Sequence, residues 1–330
     1  MKKRTFVREM DANSSWSTVF AVIKFVVCFF GIILNGLVIL TICKNLRRSS
    51  PPSYLILSIA VSDLVSCSVA IPFSIAFYFQ KQWPFGMAGC KAHAFMIFLL
   101  ALVSITHLAV ISMGKFLTIT RSLSRDSYFS KSTVLWIVFG SWMYSLVFSV
   151  PPLLGWSRYG LEGTNESCSI IWESKVPSDK AYFGIIFFAC YVLPITLIAF
   201  CYYKIHKVSS HVVETSLQIN RVAMTMSEAL LKKHRKSAMY FLIIIAVFLF
   251  SWSPYAIVSF MTIFGGSVDA VATSACSVFA KTSFLVNPML YAIVSRKFRR
   301  RMIQAIPINR PNRVVVPADA FHLTSVALAL

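Results

Sequence analysis

The stretch Ser277–Tyr291, SVFAKTSFLVNPMLY, places one lysine inside an apolar segment. Lys281 lies in the middle of a run that is long enough to cross a bilayer as a helix. A charged ammonium at the bilayer centre costs about 2.5–3.5 kcal/mol on insertion scales, so a lysine kept there indicates a functional site. A lysine amine also condenses with an aldehyde to form a Schiff base, which gives Lys281 a candidate covalent chemistry.

The composition of the whole chain indicates a membrane protein. Its 330 residues are 57% hydrophobic and 13% charged, whereas a soluble domain carries about 25% charged residues. The apolar segments predict an all-α bundle of seven transmembrane helices, near residues 18–43, 54–79, 88–121, 132–154, 181–207, 237–264 and 270–294. Since no cleavable signal pattern opens the chain, the first span is expected to direct insertion.

The predicted spans divide the chain into three parts. We expect an N-terminal tail outside the cell at 1–17, a seven-helix domain at 18–306 and a cytoplasmic tail at 307–330. The end of the domain is predicted to be a short amphipathic helix from Ser295 to about Ile306, with arginines on one face.

The net charge of +20 is distributed as in a membrane protein rather than a nucleic-acid-binding protein. Basic residues cluster in alternate loops and near the last span, which predicts that these segments and the C-terminus face the cytoplasm. The clusters are Lys44, Arg47 and Arg48; Lys115, Arg121 and Arg125; Lys232, Lys233, Arg235 and Lys236; and Arg296, Lys297, Arg299, Arg300 and Arg301. The basic residues of the N-terminal tail depart from this rule, but the later loops agree with one another.

The segments predicted to lie outside the cell contain residues that are typical of an oxidising compartment. Cys90 begins a span and Cys168 lies in the longest loop predicted outside, where a cysteine can be oxidised. Two glycosylation sequons, at Asn13 and Asn165, fall on the same face. No metal site is predicted.

An ordered set of residues, with at least one in each span, resembles a rhodopsin-like (class A) G-protein-coupled receptor. Each motif alone is weak, but their order along all seven spans is specific. The landmarks are Asn35 in GIILNG, Asp63 in AVSD, Cys90, Trp142, Pro194 with Tyr202, Trp252-Ser253-Pro254, and Asn287-Pro288-Met289-Leu290-Tyr291. The resemblance covers about Val19 to Met302.

Lys281 narrows the resemblance to the opsins, because it lies six residues before Asn287, where opsins carry the lysine that binds retinal. The alternative, a lysine that snorkels to the membrane interface, is disfavoured by its distance from either end of the helix. The resemblance further implies a disulfide between Cys90 and Cys168, and Trp252 and Tyr255 in the wall of the retinal pocket.

A protonated retinylidene imine needs an anion when it is buried. Many visual opsins supply a glutamate three residues after the cysteine of the third span, but this chain has His93 there. Glu162, six residues before Cys168, occupies the alternative counterion position by resemblance. Judged on spacing alone, Glu162 would be a solvated loop acid.

The motif at the end of the third span departs from the family. Gly114-Lys115-Phe116 replaces the acid–Arg–Tyr motif, and His234 stands where visual opsins carry the glutamate that pairs with the arginine. Lysine lacks the planar fork of arginine. His93 and the missing acid resemble the photoisomerase opsins, whereas the WSPYAIVSF segment also resembles peropsins and neuropsins.

Two functions stay open from the sequence. One is a light-sensing receptor at the cell membrane, with a heterotrimeric G protein and arrestin as partners and with Tyr202 and Tyr291 stabilising the active state. The alternative is a retinal photoisomerase with little coupling, whose retinal isomer (11-cis or all-trans) the sequence does not decide. A transporter is disfavoured because no other span was expected to carry an ionisable pathway.

Overall fold

The computed structural model describes residues 2–45, 51–80, 82–120, 130–218, 224–294 and 296–306. The predicted tail at 307–330 and the loop residues Arg47, Arg48, Arg121 and Arg125 lie outside the described residues. Within the described part, the chain forms a bundle of membrane-length helices with one two-stranded hairpin at one end.

The helices follow the predicted spans. Six described helices are long and apolar enough to cross a membrane, and Ala270–Ile293 completes the seven before a bend of 104°. Their bounds are Lys2–Lys44; Ser53–Val65 with Ile71–Gln80; Gly86–Thr120; Lys131–Ser149; Pro177–Phe187 with Leu193–Gln218; Met224–Ile263; and Ala270–Lys281 with Ser283–Val294. A short helix, Arg296–Ala305, follows as expected, and Met302 on its apolar face is buried.

The first helix is longer than the sequence predicted. It begins at Lys2 rather than near residue 18, although its apolar membrane-length part begins at Ser15. Since no proline or glycine occurs before Gly31, nothing in the local sequence ends the helix at the membrane boundary. The N-terminal segment predicted as a tail is therefore helical.

Prolines account for two irregular turns within the spans. A π-helical turn at Ser66–Ala70 precedes Pro72, and another at Phe188–Val192 precedes Pro194. A proline ring clashes with the carbonyl four residues earlier, and a wider turn relieves this clash. Both turns lie in the half of the bundle that carries the hairpin.

The seventh span is interrupted at Thr282, directly after Lys281. Pro288 lies inside the second segment and cannot donate a hydrogen bond to the carbonyl of Phe284. The side-chain amide of Asn35 donates to that carbonyl at 2.9 Å. The first helix thus satisfies the backbone group that the proline leaves free, as membrane burial requires.

The hairpin pairs Tyr159–Glu162 with Ser167–Ile170 in antiparallel register, with Leu161 opposite Cys168. A disulfide joins Cys90 at the start of the third span to Cys168, with Cα atoms 5.5 Å apart. This confirms the predicted bond. The hairpin is therefore fixed covalently to the helix around which the bundle packs.

Candidate functional site

An apolar cavity lies between the hairpin and the third, fifth, sixth and seventh spans. Aromatic side chains form much of its wall, and they include Trp252 and Tyr255, the two residues predicted for a retinal pocket. Two of the described side chains that line it are charged, Lys281 and Glu162. A long apolar molecule with one reactive polar end fits this combination of walls and charges.

Lys281 is buried, with 4% of its surface exposed, and makes two hydrogen bonds to serines. Its Nζ donates to Ser277 Oγ at 2.6 Å and to Ser167 Oγ at 3.1 Å. Ser277 lies one helical turn before Lys281, on the same face of the seventh span. Ser167 comes from the hairpin, so the lysine contacts both walls of the site.

Glu162 reaches the lysine through Ser277. The Ser277 hydroxyl donates to Glu162 Oε2 at 2.9 Å, while Glu162 Oε1 is buried and has no hydrogen-bond partner among the described residues. The Tyr255 hydroxyl lies close enough for the carboxylate charge to act on it. A buried carboxylate with an unsatisfied oxygen beside a lysine suits a cation at that position.

His93 lies beside the lysine but outside the cavity lining. Its Nδ1 is 2.9 Å from the Ala70 carbonyl and can only donate there, which leaves Nε2 as an acceptor for the Ser167 hydroxyl at 3.2 Å. The bonds form a directed chain, in which Lys281 donates to Ser167 and Ser167 donates to His93. This arrangement satisfies a neutral imidazole.

The two serines were missed in the sequence. Ser277 could have been found from its spacing of four residues from Lys281, which places both on one helix face. Ser167 offers only its position next to Cys168, and its role depends on the register of the hairpin. Together they connect Lys281 to Glu162 on one side and to His93 on the other.

Close packing holds the hairpin against the seventh span. Gly163 has φ +57°, and a Cβ there would collide with Ser274 Oγ. The next residue, Thr164, accordingly hydrogen-bonds through its backbone N–H to the same oxygen at 3.0 Å. On the other side, burial raises the pKa of Tyr159, which stays a donor to the Ser149 carbonyl at 2.7 Å.

A second buried lysine was missed in the sequence. Lys24, in the first span, is 3% exposed and pairs with Glu166 of the hairpin at 3.1 Å. This is a single buried ion pair, so the expectation that no other span carries an ionisable pathway stays a prediction. The signal was available, since Lys24 interrupts an apolar run as Lys281 does.

A polar cluster joins four spans deeper in the bundle. Asp63 accepts hydrogen bonds from Asn287 at 2.9 Å and from Ser104 at 3.2 Å. Trp142 donates to Ser58 Oγ at 2.9 Å and so ties the fourth span to the second. The Asp63 carboxylate is thus satisfied by Asn287 and Ser104.

The far end of the bundle carries the departures from the family motif. Lys115 Nζ donates to Ser237 Oγ at 2.8 Å and lies 4.7 Å from the centre of the Phe241 ring. Phe116 and Tyr202 pack against the same buried cluster, and the Tyr202 hydroxyl donates to the Ala238 carbonyl at 3.0 Å. These contacts join the third and fifth spans to the sixth.

The remaining predicted residues occupy separate positions. Gly114 accepts a hydrogen bond from Thr118 through its carbonyl, and the Tyr291 hydroxyl is buried without a partner among the described residues. Asn165 is exposed in the hairpin turn with φ +66°. Asn13 lies in the first helix, but its side chain is outside the described part of the chain.

Comparisons with known proteins agree with this architecture. The chain is 33% identical over 287 residues to melanopsin of Rattus norvegicus, covering 84% of this chain and 59% of that protein. It is 31% identical over 289 residues to rhodopsin of Enteroctopus dofleini, covering 86% of this chain and 64% of that protein. The chain thus spans about three fifths of the length of these relatives.

A solved structure of squid rhodopsin superimposes on the chain with a TM-score of 0.83 at 27% identity, covering 89% of this chain and 86% of the other. Since these similar proteins are melanopsins and rhodopsins, the finer resemblance to photoisomerase opsins, peropsins and neuropsins stays a prediction. The family model described as 7 transmembrane receptor (rhodopsin family) matches residues 34–291. The chain therefore belongs to the rhodopsin family of seven-transmembrane receptors and is of the opsin type.

Proposed function

We propose that the protein is a light-sensing receptor that carries retinal on Lys281 and signals to a heterotrimeric G protein. One observation supports the attachment above the others: a buried lysine lines an aromatic cavity and is linked to a buried carboxylate through Ser277. When bound as a protonated Schiff base, retinal supplies absorption of visible light and photoisomerisation. The relatives named melanopsin and rhodopsin support the same assignment.

The residues around Lys281 have distinct roles in this proposal. Glu162 is the counterion and acts through the Ser277 hydroxyl, because a nearby anion favours the charged form of a nitrogen base. His93 stays neutral and accepts from Ser167, since a second cation beside the first would be unfavourable. Trp252 and Tyr255 hold the polyene by apolar contact and orient it in the cavity.

The hairpin keeps water from the attachment site. The Cys90–Cys168 disulfide and the contact of Gly163 with the seventh span hold both strands over the cavity. A closed, dry site strengthens the attraction between Lys281 and Glu162, because charges interact more strongly at low dielectric. It also slows hydrolysis of an imine.

The orientation is inferred from the basic loops. We infer that the N-terminus and the hairpin lie outside the cell and that Lys115, the sixth-span start and the C-terminus face the cytoplasm. Glycosylation of Asn13 and Asn165 is part of this proposal. The cytoplasmic face is then the docking surface for the G protein and, after activation, for arrestin.

A retinal photoisomerase with little coupling is the second candidate. The Lys115 contacts favour it, because a hydroxyl and a phenyl ring replace the carboxylate that the family motif pairs with its arginine. Because Lys115 has no carboxylate partner here, its contacts between the third and sixth spans restrain the inactive state of the receptor only weakly. The two candidates share the same site and differ in the step after illumination.

One experiment tests both candidates. The purified protein is reconstituted separately with 11-cis and all-trans retinal, spectra are recorded in the dark and after illumination, and the isomers are extracted. A borohydride-stable adduct on Lys281 together with light-dependent nucleotide exchange on a G protein supports the receptor. An adduct that turns over all-trans to 11-cis retinal without exchange supports the photoisomerase, and no adduct overturns both.

A further inference from the structure

The ion pair between Lys24 and Glu166 is a second set of buried charges near the attachment lysine. Both side chains are nearly inaccessible, with residue exposures of 3% and 4%, and their charged atoms are 3.1 Å apart. The pair joins the first span to the hairpin residue that directly precedes Ser167. Neither residue has a role in the proposed attachment of retinal.

Its position connects it with Lys281. Ser167, which accepts from Lys281 Nζ, is the neighbour of Glu166 in the chain. Lys24 and Glu166 are both close enough to Lys281 for their charges to influence it, and Lys24 is close enough to influence His93 as well. The two lysine–carboxylate pairs therefore form one electrostatic unit.

We propose that Glu166 is a second anion for the Lys281 site and that its ion pair with Lys24 prevents it from acting as the counterion of Lys281. The proposal rests on the proposed function, in which a cation is present at Lys281. In the native arrangement Lys24 is matched by Glu166, which leaves Glu162 as the counterion of Lys281. Without Lys24, the carboxylate of Glu166 becomes available to the cation at Lys281.

The numbers of positive and negative charges around Lys281 determine what this inference predicts for each variant. Among the described residues, the charged and titratable groups around Lys281 are Lys24 from the first span, His93 from the third, and Glu162 and Glu166 from the hairpin, together with the Tyr255 phenol of the sixth span, which lies beside Glu162. With a neutral His93, two cations face two anions. Glu162→Gln leaves one anion between two cations, whereas adding Lys24→Met restores one anion for one cation.

The test is a set of absorption spectra. The Glu162→Gln protein, reconstituted with retinal, is expected to lose visible absorbance at neutral pH in favour of the near ultraviolet. Adding Lys24→Met should return most of the pigment to the visible band, and adding Glu166→Gln to that double variant should remove the recovery. If Lys24→Met gives no recovery, or if the recovery survives Glu166→Gln, the proposal is wrong.

A second pair of variants covers the case in which Lys24→Met does not fold. Glu166→Gln placed in the Glu162→Gln protein leaves Lys24 as an unopposed cation near Lys281. The visible form should then require more acidic solution than in Glu162→Gln alone. An unchanged titration midpoint would overturn the proposal.

The apoprotein supplies a measurement that does not need retinal. In Lys24→Met, the Lys281 ammonium becomes the partner of Glu166, so adding Lys281→Met should lower the unfolding temperature by more than the two single changes combined. The excess should disappear when Glu166 is changed to Gln. Additive shifts would show that Glu166 does not serve Lys281. Since this result is independent of pigment formation, it separates failure of the inference from failure of retinal attachment.

Discussion

The lysines at the two ends of the bundle have different partners. Beneath the hairpin, Lys24 pairs directly with Glu166, and Lys281 is linked to Glu162 through one serine. At the opposite end of the bundle, the partly buried Lys115 contacts a serine hydroxyl and an aromatic ring instead of a carboxylate. Both buried lysines beneath the hairpin therefore have a nearby carboxylate, whereas Lys115 has none among the described residues.

This difference indicates which end of the bundle depends more strongly on electrostatic interactions for its stability. Removing one partner of a buried ion pair leaves an uncompensated charge and is strongly destabilising, by about 3–5 kcal/mol. A lysine that can extend to solvent beside a hydroxyl carries a smaller penalty. Substitutions beneath the hairpin should therefore have larger effects than substitutions at the opposite end of the bundle.

The largest effect is expected for Lys281→Ala. Covalent pigment should be lost completely, because no other described amine lines the cavity. Surface expression should stay largely intact, since alanine relieves an insertion cost of about 2.5–3.5 kcal/mol, which offsets the cost of leaving Glu162 without its cation. Borohydride trapping followed by mass spectrometry measures the adduct, and Lys91→Ala, at an exposed lysine of the third span, is the matched control. A normal adduct in Lys281→Ala would exclude the assignment.

Removal of the disulfide should have the next largest effect. Cys90→Ser or Cys168→Ser should lower the yield of folded protein and of pigment, because loss of a native disulfide commonly costs about 2–5 kcal/mol. Thermal unfolding and pigment yield are the measurements, with Cys43→Ser at an exposed free cysteine as control. Native behaviour of both single variants would show that the hairpin is held by its non-covalent contacts alone.

Glu162→Gln tests whether the Glu162 carboxylate compensates the positive charge at Lys281. The cation at Lys281 loses its linked carboxylate, so absorbance should move from the visible to the near ultraviolet at neutral pH and return on acidification or on addition of small anions. His93→Glu should partly restore visible absorbance by supplying a different anion beside Ser167. Glu173→Gln, at an exposed acid beyond the second strand, should leave the spectrum unchanged.

Two spectral outcomes would contradict the role of Glu162. A native pigment that absorbs only in the ultraviolet at neutral pH would show that no proton is held at Lys281. A native pigment that absorbs in the visible and does not respond to Glu162→Gln would assign the counterion role to another group or to chloride.

The sequence was sufficient for the fold because membrane burial leaves few alternatives. Long apolar runs, the basic loops and one landmark in each span specify the seven helices, and Lys281 is evident because a charge in lipid is costly. The start of the first helix was not predictable in this way. Hydropathy reports where lipid begins, whereas the helix continues to Lys2 because no residue stops it.

Contacts between distant segments were less accessible from the sequence. Lys24 and Glu166 are 142 positions apart, and only the fold of the hairpin over the first span brings them together. Ser167 likewise contacts Lys281 and His93 because of the register of two short strands. Such pairings depend on three-dimensional placement, which no local pattern records.

The smallest effect is expected at the end of the bundle opposite the hairpin. Here the change is Lys115→Arg combined with Gly114→Glu, which restores the planar fork and its acidic partner at the end of the third span. Light-dependent nucleotide exchange on a G protein should increase by about fivefold, at the lower end of typical couplings between two sites.

Ser237→Ala is the matched control for this change. It removes the hydroxyl that Lys115 contacts at 2.8 Å but adds no new charge, so it should alter exchange less than the restored motif does. The pigment spectrum should be unaffected by all three substitutions, because they lie at the end of the bundle away from the hairpin. If the native protein already activates as strongly as a visual opsin and the restored motif gives no increase, the contacts of Lys115 are sufficient for coupling. The two ends of the bundle would then differ in how their lysines are paired, but this difference would not affect signalling.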